Sequence, residues 1–220
     1  MMVDLHVHTS PKSSCSVLQP EEAVREAARL GLDAVCLTEH HRSWRRDDLA
    51  RLEDMANLRV LGGTEITTTD GDVLVFGLSV DVPYLVPIAD LRRQVVADGG
   101  ILIAAHPYRG VWVHQRDPAS VVGDMEAAPS VFEYVDAIEV CNGCSSEPEN
   151  AAAARAAEQL GLPGVAGSDA HRIEEVGRCV TVLEREVGDV VELVAALRSG
   201  SCSIERPRRV DPGGPPGPGR

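Results

Sequence analysis

The sequence predicts an α/β fold in a single domain, with strands and helices alternating around a closed or nearly closed barrel. Short runs rich in β-branched residues alternate with segments of helical apolar period, a rhythm that argues a parallel sheet with crossover helices. The unit recurs in roughly seven copies, which fits a barrel better than an open doubly wound sheet. A length of 220 residues suits one such domain. Hydrophobic residues make up 44% of the chain and aromatics only 3%, so Val, Leu, Ile and Ala must fill the core.

Asp4-Leu5-His6-Val7 opens the chain as a strand. A helix follows from Pro20, with proline at its first position, Glu21 and Glu22 at the positive end of its dipole, and Gly31 as the stop. Ala34-Val35-Cys36-Leu37-Thr38 reads as a buried strand, and Leu49, Leu52, Met55 and Ala56 mark a second helix. Strands are expected over 58–61 and 73–78, a helix over 88–98, and a strand over 101–105 after Gly99-Gly100. Ala137-Ile138-Glu139-Val140 is the next strand, and 150–160 an alanine-rich helix closed by Gly161. Two short strands, 164–167 and 179–183, precede a last amphipathic helix over 190–197. A single domain is thus expected over 1–205. From Arg206 onward the proline and glycine content supports neither element nor core, and 206–220 is expected to be a disordered tail.

A formal net charge of -13 argues against an extended nucleic-acid surface. It leaves room for a short or single-nucleotide substrate held through metal ions. The N-terminus lacks a basic n-region and a long apolar stretch, and no segment is long enough to cross a bilayer, so a cytoplasmic location is expected. The six cysteines would then be mostly reduced. Cys141 and Cys144 have CxxC spacing, but no second ligand pair accompanies them, so a strand-end and a loop cysteine is the simpler reading.

The candidate chemistry lies at strand ends. His6 and His8, two apart in an extended segment, point to one face. Glu39-His40 follows the second strand, Glu65 follows the third, and Asp72 precedes the fourth. His106 follows the fifth, Glu139 lies late in the next with Asn142 beyond it, and Asp169 and His171 follow the last short one. The loops at the C-terminal ends of barrel strands are where such folds build active sites. A lone histidine there is more often buried and satisfied, or simply exposed. Five of the seven histidines converging on one face, with several acids, point instead to a metal site. Imidazole and carboxylate together suit Zn, Mn or Fe. His41 is expected to turn away from His40, and His114 to lie in a loop. Trp44, Tyr108 and Trp112 are candidate stacking platforms, with ordinary loop packing equally open for each.

Asp4-Leu5-His6-Val7-His8-Thr9, Thr38-Glu39-His40, Gly63-Thr64-Glu65, Ala105-His106-Pro107, Ile138-Glu139 with Asn142, and Gly167-Ser168-Asp169-Ala170-His171 resemble the motifs of the PHP (polymerase and histidinol phosphatase) family, in family order. The resemblance spans residues 2 to about 200. It implies a distorted (β/α)7 TIM-like barrel, two or three divalent metal ions (Mn, Zn, Fe or Mg) and hydrolysis of phosphate esters. It implies that His6, His8, Glu65 and Asp169 hold one metal. Glu65 would bridge to a second, with His106 and Asp72, and His40 and His171 would belong to a third. Two departures stand out. The stretch Ser13-Ser14-Cys15 stands where the family often has His or Asp, leaving the third site weak, absent or completed by Cys15, Glu39 or water, and Asp72 stands where the family often has histidine.

The implied reaction is attack of a metal-activated hydroxide on phosphorus. Asp169 would orient the water or act as base, His171 would protonate the leaving group, and Arg109 would fork onto phosphate oxygens. The expected substrate is a small phosphorylated metabolite or nucleotide, with no membrane partner. The same site chemistry also suits hydrolysis of C–N or C–O bonds, and a non-catalytic metal-binding module is a third reading.

Overall fold

The computed structural model describes residues 1–78, 80–110 and 129–207. Among these, nine strands form one sheet, in the order β7-β6-β5-β4-β3-β2-β1-β8-β9. They are β1 (Met2–Val7), β2 (Ala34–His40), β3 (Arg59–Thr68), β4 (Gly71–Phe76), β5 (Ile101–Ala104), β6 (Ala137–Asn142), β7 (Gly164–Gly167), β8 (Val180–Leu183) and β9 (Cys202–Glu205). The helices are α1 (Pro20–Arg29), α2 (Arg46–Ala56), α3 (Ile88–Ala97), α4 (Glu147–Leu160) and α5 (Val190–Arg198). None of the described helices is long and apolar enough to cross a membrane.

The sheet curls so that the segment after β7 meets β1. Val7 makes a parallel bridge to Ala170, the His8 amide donates to the Ala170 carbonyl at 2.9 Å, and the Asp169 amide donates to the His6 carbonyl at 2.7 Å. The result is the nearly closed α/β barrel the sequence predicts. Glycine is required at this seam, because a Cβ on Gly167 would lie 2.4 Å from the His6 Cβ.

The expectation of a parallel sheet needs correction. β1–β2, β2–β3, β5–β6 and β6–β7 pair in parallel, but β3–β4, β4–β5, β1–β8 and β8–β9 pair antiparallel. Between β3 and β4 only Thr69 and Asp70 intervene, and so short a link can join only antiparallel strands. Thr68 Oγ1 accepts from the Asp70 amide and donates to the Gly71 carbonyl, which closes the turn. β3 also runs further than 58–61, so Glu65 lies within the strand rather than after it. Gly62-Gly63 does not end the strand. It admits the Phe76 ring, which a Cβ on Gly63 would approach to 2.5 Å. β9 was not expected at all.

Val3, Leu5, Ala34, Cys36, Leu74, Phe76, Ile101 and Ile103 share one cluster with Leu193 and Leu197 of α5. Val7, Val35, Leu37 and Val60 belong to another, beneath α1 and α2. Val3 and Leu5 therefore pack differently from Val7, where strict alternation would keep all three together. The switch coincides with a register shift between Asp4 and Val7, a bulge that re-aims the end of β1. Arg206, at the head of the expected tail, contacts Glu147 and donates from Nε to Cys141 Sγ at 3.2 Å, while 208–220 lie outside the described residues.

Candidate metal centre

His6 and His8 leave the end of β1 fully buried, and their Nε2 atoms stand 2.9 Å apart. Two acids close on them. Glu65 Oε2 lies 3.1 Å from His8 Nε2 and 3.5 Å from His6 Nε2, and Asp169 Oδ1 lies 3.3 Å and 3.4 Å from the same atoms. Glu65 also reaches sideways, to His106 Nε2 at 2.9 Å through Oε1 and to His40 Nδ1 at 3.0 Å through Oε2. His171 Nδ1 lies 3.6 Å from Asp169 Oδ1 and 2.9 Å from the Asp169 carbonyl, to which it donates.

Ligand atoms therefore converge in three overlapping groups: His6, His8 and Asp169; His6, Glu65 and His106; His8, His40 and His171. His106 and Asp169 adopt positive φ values of 31° and 54°, unusual for residues other than glycine. Backbone strain of this kind persists where the surrounding structure over-determines it, often at functional sites.

The donor set fits cations. Buried carboxylates need compensating positive charge. Here protons on imidazole supply it: burial pulls the His6 pKa down, but Asp169, Glu139 and Glu65 outweigh that and leave it well above its usual value. His8 follows the same pattern, with burial opposed by Asp169 and Glu65. In return, burial raises the Glu65 and Asp169 carboxyls less than His6 and its neighbours lower them, and both end below the ordinary carboxylate range. His171 is the exception, held below its usual value by burial and by His8. A divalent ion would take over the role of these protons.

The remaining expectations divide. Arg109 reaches the mouth, pairing with Asp169 and donating to Asn142 Oδ1 at 2.8 Å. Asp72 stands opposite Thr67 at the start of β4, two residues before inward-facing Leu74. It joins none of the three groups among the described residues. Antiparallel pairing brings it to the same mouth as Glu65. Glu39 is spent otherwise: it accepts from the Thr9 amide at 2.9 Å, the Thr9 hydroxyl, Ser13 Oγ at 2.5 Å and Trp44 Nε1 at 3.0 Å. Cys15 is exposed and joins no ligand group among the described residues.

Tyr108 is no stacking platform. It is 1% exposed and packs in the core near Phe132. The Trp44 face carries the Lys12 ammonium, 4.9 Å from the ring centroid. His41 turns away as expected, accepting the Thr67 amide at its Nε2, and Trp112 and His114 lie outside the described residues. Cys141 is partnered by Cys179, with the sulfurs 2.6 Å apart, rather than by Cys144, whose thiol faces the Asp169 carbonyl. Glu139 stood in the motif without a role. It sits directly behind His6, its Oε1 3.0 Å from Nδ1, a contact between residues far apart in the chain.

The PHP domain model matches residues 4–110, and the PHP-associated model matches 147–202. The chain belongs to the PHP family. An uncharacterised protein of Methanocaldococcus jannaschii is 29% identical over 117 residues, covering 49% of this chain and 68% of the relative. A "probable phosphatase" of Thermoanaerobacter sp. is 26% identical over 206 residues, 81% of this chain and 82% of that one. Among solved structures, a two-domain Bacteroides vulgatus protein containing a predicted PHP-like metal-dependent phosphoesterase superposes with a TM-score of 0.69 at 22% identity. That match covers 94% of this chain and 64% of the other, and at such identity it shows the shared fold. The PHP chain thus shares the TIM-like barrel of this structural neighbour, with side chains at its mouth that could bind metal.

Proposed function

We propose that this PHP protein is a metal-dependent phosphoesterase acting on a small phosphorylated metabolite or nucleotide. The observation that carries the reading is the overlap of the three ligand groups. His6 and His8 are each shared between groups, and Glu65 and Asp169 are buried between them, a layout suited to adjacent cations. Members of the same family, including the relative named as a phosphatase, support the reaction class.

In this reading His6, His8, Glu65 and Asp169 hold one cation, Glu65 and His106 a second with Asp72 at its margin, and His40 and His171 belong to a third. When bound, such ions polarise phosphoryl oxygens and make water a stronger acid. The chain's own groups do the rest. Arg109 is held at the mouth by Asp169 and Asn142, with its side chain 37% exposed, so its free N–H groups can fork onto two phosphoryl oxygens. Asp169 accepts or orients the proton of the attacking water. His171 donates Nδ1–H to a carbonyl, so its neutral ring presents Nε2, which can hold a cation or relay a proton to the leaving oxygen.

The test is release of phosphate from a panel of phosphomonoesters and phosphodiesters by Mn-loaded protein, with metal content measured in parallel. Activity that vanishes with chelator and in Asp169→Ala supports the reading. Protein that loads metal and cleaves no phosphoester of either kind overturns it.

A further inference from the structure

We infer that Glu139 is a positioning residue that sets the tautomer of His6 and holds His6 and His106 in one frame for cation binding. The inference rests on the metal-centre reading above and goes beyond it, because Glu139 itself is not among the proposed ligands. Its carboxylate is 1% exposed. Oε1 lies 3.0 Å from His6 Nδ1. Oε2 accepts the His106 amide at 2.9 Å and the Asn142 Nδ2 amide at 2.9 Å. Asn142 Nδ2 in turn lies 3.4 Å from Asp169 Oδ2. One side chain on β6 thereby touches a histidine of β1, the backbone of a histidine after β5, and a residue that reaches the acid after β7.

The chemistry of these contacts is directional. An ionised carboxylate only accepts, so the Nδ1 facing it must carry the proton. In the neutral form that ligates a metal, the lone pair of His6 is then on Nε2, the atom that lies 2.9 Å from His8 Nε2, 3.4 Å from Asp169 and 3.5 Å from Glu65. Nε2 is thus the nitrogen presented where the ligand atoms converge. Carboxylates behind metal-bound histidines act in this way generally, and losing one typically weakens metal affinity about 10–100-fold.

Glutamine cannot replace this carboxylate. If its oxygen faced His6, its amide N–H groups would face two other donors, the His106 amide and Asn142 Nδ2. If its oxygen faced those donors, its N–H would face His6 Nδ1 and demand the opposite tautomer, with Nε2 protonated and unable to ligate. The second oxygen contact also bears on the backbone, since His106 is held at φ 31° and its amide is tied to Glu139. Asn142 can be lost more cheaply, because the carboxylate keeps its other two partners.

The test reads metal and protons rather than turnover. In 15N-labelled wild-type protein loaded with Zn, the His6 ring is expected to carry its proton on Nδ1, with Nε2 unprotonated. Chelator competition is expected to show Glu139→Gln binding Zn about 10–100-fold more weakly, while Asn142→Ala loses less. A wild-type spectrum with His6 protonated at Nε2 overturns the inference, and that spectrum decides even if the variant does not fold. Wild-type Zn affinity in a folded Glu139→Gln protein overturns it equally. Neither reading uses substrate. A protein that cleaved no phosphoester yet showed both expected results would end the proposed function and leave the role of Glu139 standing.

Discussion

Replacing Gly167 by alanine tests whether the seam of the barrel and the metal centre are one structure. The added Cβ would lie 2.4 Å from His6 Cβ, 2.9 Å from His6 N and 3.0 Å from Glu139 Oε1. Carbon atoms prefer about 3.5–4.0 Å, so the strands must part by roughly 1 Å or more. No flexible side-chain end is available to give way: two of the three atoms are the backbone and first side-chain atom of His6. Overpacking of this kind costs about 1–3 kcal/mol. For a chain of this size that corresponds to roughly 2–12 °C of melting temperature, at about 2–4 °C per kcal/mol. Metal–ligand distances tolerate only about 0.2 Å, so the shift should also weaken metal binding well beyond its effect on stability. Thermal melts of the metal-free protein and chelator competition measure the two separately. Gly188→Ala, where a Cβ meets only the movable Glu192 carboxylate at 3.3 Å, is the control and should change neither. Gly167→Ala protein with wild-type melting temperature and full metal affinity would refute the reasoning.

Other outcomes follow from the same geometry. Arg109→Ala should raise KM for phosphoesters about 10-fold or more, as expected for loss of a charge-assisted contact, while metal content stays unchanged; steady-state kinetics with metal analysis checks both. In metal-free protein, His6 has a raised pKa, burial being outweighed by Asp169, Glu139 and Glu65. Its stabilising contribution is therefore complete below about pH 6.5 and is lost as pH rises through the elevated folded value. Asp169 is the converse case, its carboxyl lowered on balance despite burial. Its contribution is present above about pH 3.9 and is lost as pH falls below that. Melting temperature against pH should accordingly decline on both sides, and a profile flat through the alkaline range would contradict the His6 assignment. Trp44→Phe removes one of the donors to buried Glu39 and should cost about 1.5–3 kcal/mol without removing the metals, as read by denaturant unfolding and metal analysis.

Much of the candidate centre was legible because its residues interrupt apolar strands at their ends. A histidine or acid within two residues after Leu5, Leu37, Ala105 or Gly167 has no business in a core, and its place at a strand end points it to the mouth. What stayed hidden depended on contacts between distant segments. Glu39 looks like a ligand in sequence, and only the fold brings Thr9 and Ser13 to its oxygens. Tyr108 follows His-Pro and reads as a loop residue, yet it packs toward Phe132 in the core. The reversal of β4 was missed because Thr69-Asp70 lacks the Asn-Gly or Asp-Gly signature of a two-residue hairpin. That reversal matters for the site, since a parallel β4 would have carried Asp72 to the opposite end of the barrel from Glu65.

The bridge that closes the barrel joins Val7 to Ala170, and each is flanked by proposed ligands, His6 and His8 on one side, Asp169 and His171 on the other. A cation held by His6, His8 and Asp169 therefore spans the seam and links β1 to the segment after β7 in addition to their backbone hydrogen bonds. Unfolding must break that link, whereas the unfolded chain holds these residues 161 or more positions apart, as with His8 and Asp169. Metal at about 100 times its dissociation constant should then stabilise the protein by about 2.7 kcal/mol, roughly 5–11 °C for this chain length. In Gly167→Ala the same addition should give little, because the seam can no longer present its ligands together. Equal metal-induced shifts in wild type and Gly167→Ala would show that the cations bind away from the seam, and the ligand assignment for His6, His8 and Asp169 would fall with that result.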